Sequence, residues 1–223
     1  MEWSQWLKGG PFLEISFLFK LKEDKKQTIQ DIINKLSKLT NKVEIVDNNL
    51  DEKIDFFDKG YSYDEEDPQS IKLHSFRLSL YVYFSRKRKA TLQIDIVSSN
   101  ALMVHFLFYG AEFDVPEWDQ IGIKKEEFAG FTSLLKELYL LYEFKIGGIA
   151  VEEDILELFG FIETYPNECY RYENLSPDYF LKEPSYFINI IWSEKYKQIS
   201  NIPYNYTRVD KEGIFIETGS FYG

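Results

Sequence analysis

The chain has 223 residues, 26 Lys+Arg against 37 Asp+Glu, 44% hydrophobic and 17% aromatic residues, and one cysteine, Cys169. That length holds one large domain or two small ones and buries about 70% of the unfolded chain's surface without a disulfide or metal staple. The formal charge of −11 disfavours nucleic acid and anionic membranes as partners, and the lone Cys excludes an internal disulfide, which suits a reducing compartment.

Residues 12–21 alternate, with Leu13, Ile15, Phe17, Phe19 and Leu21 on one face and Glu14, Ser16 and Lys20 on the other, which predicts a strand with one buried face. Residues 25–39 switch to helical period through Ile29, Ile32, Ile33, Leu36 and Leu39. Val43 and Ile45 begin a second strand. Residues 47–67 carry nine acids and two Lys, and read as a loop with one short element near residues 54–57. Three meander strands follow, around residues 76–84, 92–96 and 102–109. The first two are joined by a charged turn, Arg86–Lys89, and the last is apolar on both faces and so expected inside the sheet.

Residues 110–122 read as a loop, and residues 124–144 as the strongest helix, with Phe128, Phe131, Leu134, Leu135, Leu138 and Leu141 in one wide apolar stripe. Gly147-Gly148 is expected to end that unit. A short β-like run at 149–151 precedes a short helix over 152–159, stopped by Gly160. Ser176-Pro177 suggests a single helical turn, residues 186–192 a strand, and 204–209 with 214–218 a closing hairpin. This order predicts an α+β fold, a largely antiparallel sheet with helices packed on one face. A single domain over residues 1–223 is expected, the polar stretch 165–184 being the alternative boundary.

The charge is unevenly placed. Residues 110–183 hold 17 Asp+Glu and 6 Lys+Arg, so the rest of the chain nets to zero. Rings (Phe113, Trp118, Phe161, Tyr165, Tyr170, Tyr172) are interleaved with these acids. Asp114, Trp118, Asp119, Glu152, Glu153 and Asp154 are the candidate binding residues, with Trp118 as anchor and the carboxylates steering a basic protein partner. The alternative is a carboxylate- or metal-assisted hydrolase on Glu112, Asp114 and Glu153 with His105, because crowded carboxylates drive pKa values apart. A third reading is a homo-oligomeric structural subunit.

Other motifs are weaker. Asp47, Asn49, Asp51, Lys53 and Asp58 approach a calcium-loop spacing, but Glu52 stands where the loop needs Gly and Asp58 where it needs Glu. His74 and His105 have no metal-ligand spacing, and His105 reads as a hydrogen-bonded core or rim residue. Cys169 is flanked by Glu168 and Glu173, a poor setting for a thiolate. No phosphate-cradling glycine loop, nucleophile elbow or cofactor motif is present, so neither a cofactor nor a metal is expected. The N-terminus lacks a basic region before an apolar run, and the most apolar stretch, 101–109, is too short to span a bilayer, so a cytoplasmic protein is expected. In composition the chain resembles small acidic bacterial immunity proteins, which implies a fold that covers and neutralises a basic partner.

Overall fold

The computed structural model describes residues 12–39, 42–67, 69–85, 87–109, 125–179, 181 and 187–219. It is an α+β fold built on one nine-stranded antiparallel sheet. In chain order the elements are β1 (Phe12–Lys20), α1 (Lys25–Leu36), β2 (Val43–Ile45), α2 (Leu50–Lys59), the ribbon strands β3 (Tyr61–Ser62) and β4 (Lys72–Leu73), the meander β5 (Ser75–Tyr83), β6 (Lys87–Ser98) and β7 (Ala101–Tyr109), then α3 (Lys125–Tyr142), β8 (Ile146–Val151), β9 (Phe187–Ser193), β10 (Asn205–Val209) and β11 (Gly213–Glu217). The strand order is β10-β11-β9-β8-β1-β7-β6-β5-β2, so β1 is central and β7 lies beside it. β3 and β4 form a separate two-stranded ribbon.

Alternation along the strands makes two cores. Leu13, Ile15 and Phe17 of β1 share one face with Val104 and Phe106 of β7 and Leu92 and Ile94 of β6, and all three helices cover that face. The α1 stripe (Ile29, Ile32, Ile33, Leu36) and the α3 stripe (Phe131, Leu134, Leu135, Leu138) are buried in it. Asp24 starts α1 by accepting from Gln27 N at 2.9 Å, which satisfies one of the helix's free amides.

The opposite face has a different cover. Leu18, Val97 and Met103 pack there under two 3₁₀ turns, Ile155–Phe159 and Glu168–Tyr170, and the chain around them. Few backbone bonds tie this cover to the strands. Glu152 N donates to Phe12 O at one end. At the other, the Ser98-Ser99-Asn100 turn acts as a clamp: Ser99 N and Oγ both donate to the Glu168 carboxylate, and Tyr172 N donates to Asn100 Oδ1.

Several expectations from the sequence are corrected. The element near residues 54–57 is the ten-residue helix α2, which buries Ile54 and Phe57. The Gly147-Gly148 pair lies inside β8 instead of ending a unit. A Cβ on Gly147 would come within 2.7 Å of Phe144, and one on Gly148 within 2.6 Å of Phe187, so these glycines let rings cross close over the strand. The short helix expected over 152–159 is the 3₁₀ turn Ile155–Phe159, closed by Gly160 in the left-handed region. The helical turn at Ser176-Pro177 is a hydrogen-bonded turn without helix. The basic run is a strand start as much as a turn. Lys87 to Lys89 belong to β6, and Arg88 is fully buried, its Nε donating to Glu127 Oε1 of α3 at 3.0 Å.

Candidate functional site

On the second face the sheet carries polar side chains where it would ordinarily carry apolar ones. His105 stands directly opposite Ser16 on β1 and Gln93 on β6, with Glu14 and Asp95 one step away on those strands. These residues point away from the helices because of the period-2 alternation that sends their neighbours into the helix-covered core. Glu14, Asp95 and His105 are each about 5% exposed (4%, 6% and 5%). His105 Nδ1 donates to Glu14 Oε1, and its Nε2 faces Asp95 Oδ2 at 3.5 Å. Burial alone would strip the proton from this imidazole. The hydrogen bonds to Asp95 and Glu14, with Glu14's charge, reverse that and raise its pKa to about 10. Asp95 is lowered: burial opposes its charge, but hydrogen bonds from His105, Ser75 and Gln93 outweigh it. His105 is therefore a fixed imidazolium between two carboxylates, as a hydrogen-bonded core residue should be.

Beside this cluster the chain leaves β8 through Glu152, whose φ of 55° lies in the left-handed region. Asp154 then caps the 3₁₀ turn, its Oδ1 accepting from Leu156 N at 2.8 Å. Burial raises the Asp154 carboxyl to about 6; the His105 charge pulls it down and Glu14 pushes it further up. Glu153 is raised by burial and then by Glu157 and Asp154, and its Oε2 is shielded from solvent with no hydrogen-bond partner. Asp154, Glu157 and Glu163 line an open cavity of about 570 Å³ walled by Phe161, Tyr165 and Tyr170 on one side and by Tyr63 and Leu73 of the ribbon on the other. The rings brace one another: Phe161 and Tyr170 have centroids 5.6 Å apart at 70°, and Tyr165 and Tyr170 6.4 Å apart at 80°. Burial raises the Tyr165 phenol, and the charges of Asp95, Asp154 and Glu14 raise it further, so Tyr165 sits between the cavity and the buried cluster.

Of the expected binding residues, Asp154 lines this cavity, whereas Glu152 and Glu153 precede it in the chain and are not among its lining residues. Asp114, Trp118 and Asp119 lie outside the described residues, as does Glu112. The described acids of residues 110–183 divide into two groups. Glu127 pairs with Arg88, Glu137 with Lys42, Glu143 with Lys195 and Lys211, Glu168 and Glu173 with Arg171, and Asp178 with Lys197. Among the described residues, Glu152, Glu153, Asp154, Glu157 and Glu163 have no Lys or Arg ion pair, and all five lie within one twelve-residue stretch that reaches the cavity.

The other motifs resolve into structural roles. Asp47 accepts from Ser79 N at 2.6 Å and from Lys53 Nζ at 3.0 Å, and α2 occupies most of the would-be calcium loop. His74 is tied by its Nδ1 to Phe57 O at 2.7 Å and by its Nε2 to Lys25 Nζ at 3.0 Å. Burial and Glu163 push the Cys169 thiol up, away from nucleophilic use. Among the described residues no group of three or more His, Cys, Asp or Glu is placed to hold a metal ion, and no helix is long and apolar enough to cross a membrane. Sequence reasoning missed Glu14, Asp95 and Glu163; Glu14 opposite an apolar face and Asp95 between Ile94 and Ile96 were the visible signals. No protein family, curated protein or solved structure matches this chain.

Proposed function

We propose that this protein is a non-enzymatic module that binds a basic protein partner, in the manner of an inhibitor or immunity protein. The observation that supports it is the run of carboxylates without a Lys or Arg ion pair among the described residues, Glu152–Glu163, beside an aromatic cavity and the 96% exposed Ile162. Unscreened carboxylates accelerate encounter with a positive surface and reject negative ones. The rings and Ile162 supply the apolar contact that sustains affinity. A hydrolase is less well supported, because His105 is buried and held charged, and a charged imidazole has no lone pair with which to take a proton.

Affinity capture from the native host across a salt series tests the reading. The wild-type chain should recover a specific basic protein at low salt, and a Glu152→Lys/Glu157→Lys/Glu163→Lys variant should not. Recovery of no basic protein, or equal recovery by the variant, counts against it.

A further inference from the structure

We propose that the β3–β4 ribbon is the docking face for an apolar segment of a protein partner, one or two large apolar side chains flanked by lysines or arginines. This rests on the protein-partner reading above and names the surface that meets the partner. Tyr61 stands opposite Leu73, Ser62 opposite Lys72, and Tyr63 N donates to Ile71 O at 2.9 Å as the register continues. Opposed residues share a face and successive ones alternate, so Tyr61, Leu73, Tyr63 and Ile71 fall on one face and Ser62 and Lys72 on the other. The apolar face is left open: Tyr63 is 74% and Ile71 62% exposed. Phe56 of α2, 57% exposed, extends it by stacking on Tyr61 with centroids 6.1 Å apart at 18°. On its other side, Ile162 lines the same cavity as Tyr63 and Leu73. A two-stranded ribbon is marginal in water unless its apolar face is packed. A continuous exposed patch of this kind marks an interaction surface, which scattered apolar residues would not.

Charge selects what covers the patch. Phe56 and Tyr61 line a cavity of about 500 Å³ with the buried Phe76, large enough to take an anchoring side chain, and Glu52 lines it too. Glu157 and Glu163 line the cavity shared by Tyr63 and Ile162, and Asp64 to Asp67 follow Tyr63 round the end of the ribbon. Among the described residues none of these acids has a Lys or Arg ion pair. Against them stand Arg77 and Lys53 in the first cavity, Lys53 being bonded to Asp47, and Lys72 on the ribbon's polar face. The rim is therefore net negative around an apolar centre, the arrangement of a protein interface with a polar edge. Two copies meeting through this patch would bring their acids together, so a second copy of this chain is disfavoured, and an anionic lipid surface is disfavoured in the same way. A partner segment with an apolar centre and cationic flanks satisfies both parts.

Titration of the full-length chain into a short labelled peptide, leucine–tryptophan–leucine with two lysines at either end, tests this by fluorescence anisotropy. The peptide should bind saturably and slow hydrogen exchange at residues 61–63 and 71–73. Replacing its lysines by glutamates, or its centre by three alanines, should weaken binding about tenfold or more. Tyr63→Ser/Ile71→Ser should do the same. Because that pair also belongs to the ribbon, Phe56→Ser on α2 gives a second loss outside it, with the melting curve unchanged. No binding, wild-type affinity in either variant, or equal binding of the glutamate or alanine peptide overturns the proposal. So does a wild-type chain that dimerises in sedimentation, or floats with phosphatidylcholine vesicles, where the serine variants do not. Host capture of one basic protein by the wild type and the serine variants alike refutes this face and leaves the partner reading standing; peptide binding with no basic protein captured does the reverse.

Discussion

Raising the pH from 6.5 to 8 should lower the unfolding free energy by about 2 kcal/mol through His105 alone. The folded imidazole keeps its proton up to about 10, whereas the unfolded one loses it near 6.5. A base whose folded pKa is raised contributes stability that is complete below the unfolded value and fades as pH climbs to the folded one, at about 1.4 kcal/mol per pH unit. Above pH 8 a second group opposes the decline. Lys145 is 4% exposed, donates to Tyr172 O, and is lowered by burial from 10.5 to about 8. Once the folded ammonium has given up its proton and the unfolded one has not, stability rises with the same slope. The curve should therefore fall between pH 6.5 and 8 and flatten towards 9. Urea unfolding at half-unit pH steps measures this, and the histidine Cε1 resonances follow the proton directly. His105→Gln should remove the decline and cost about 3–5 kcal/mol at pH 7, because two buried carboxylates lose their cation. If that variant does not fold, the wild-type resonance still decides. A His105 titration midpoint near 6.5, or a wild-type stability unchanged from pH 6.5 to 8, refutes the reasoning.

Three further outcomes follow from the packing. Gly148→Ala should destabilise by about 1–3 kcal/mol with an unchanged denaturant slope, since its Cβ would meet Phe187 at 2.6 Å and Asn189 O at 2.9 Å. Glu127→Ala should cost about 3–5 kcal/mol in the same assay by removing the carboxylate from buried Arg88, and Arg88→Met in that background should recover part of the loss. Lys145→Met should be close to neutral at pH 7, keeping the contacts with Tyr172, Trp192 and Tyr196, and should let the stability curve continue to fall above pH 8.

Much of the fold was legible in the sequence because both periods are clean. The alternation of β1 and the meander, the stripes of α1 and α3, and the closing hairpin each place their apolar residues where the sheet and helices need them. Gly147-Gly148 misled because glycine marks both a break and a close approach of rings, and only the partner strand carrying Phe187 separates the two. Arg88 misled because a basic run reads as solvated unless its carboxylate, here 39 positions away, is known. The candidate site was half visible. Glu152, Glu153 and Asp154 announced themselves by crowding, but Glu14, Asp95 and His105 are neighbours only through strand pairing, which no local pattern contains.

The cover of the second face is fastened like a strap with a buckle at each end, Glu152 N on Phe12 O and the serine-serine-asparagine clamp. Between those fastenings a further backbone bond, Asn167 N to Val97 O at 2.9 Å, joins the cover to the strands, and side chains hold the rest. Loosening that cover would leave the ladders of the nine strands intact, so that local opening there and global unfolding draw on separate parts of the molecule.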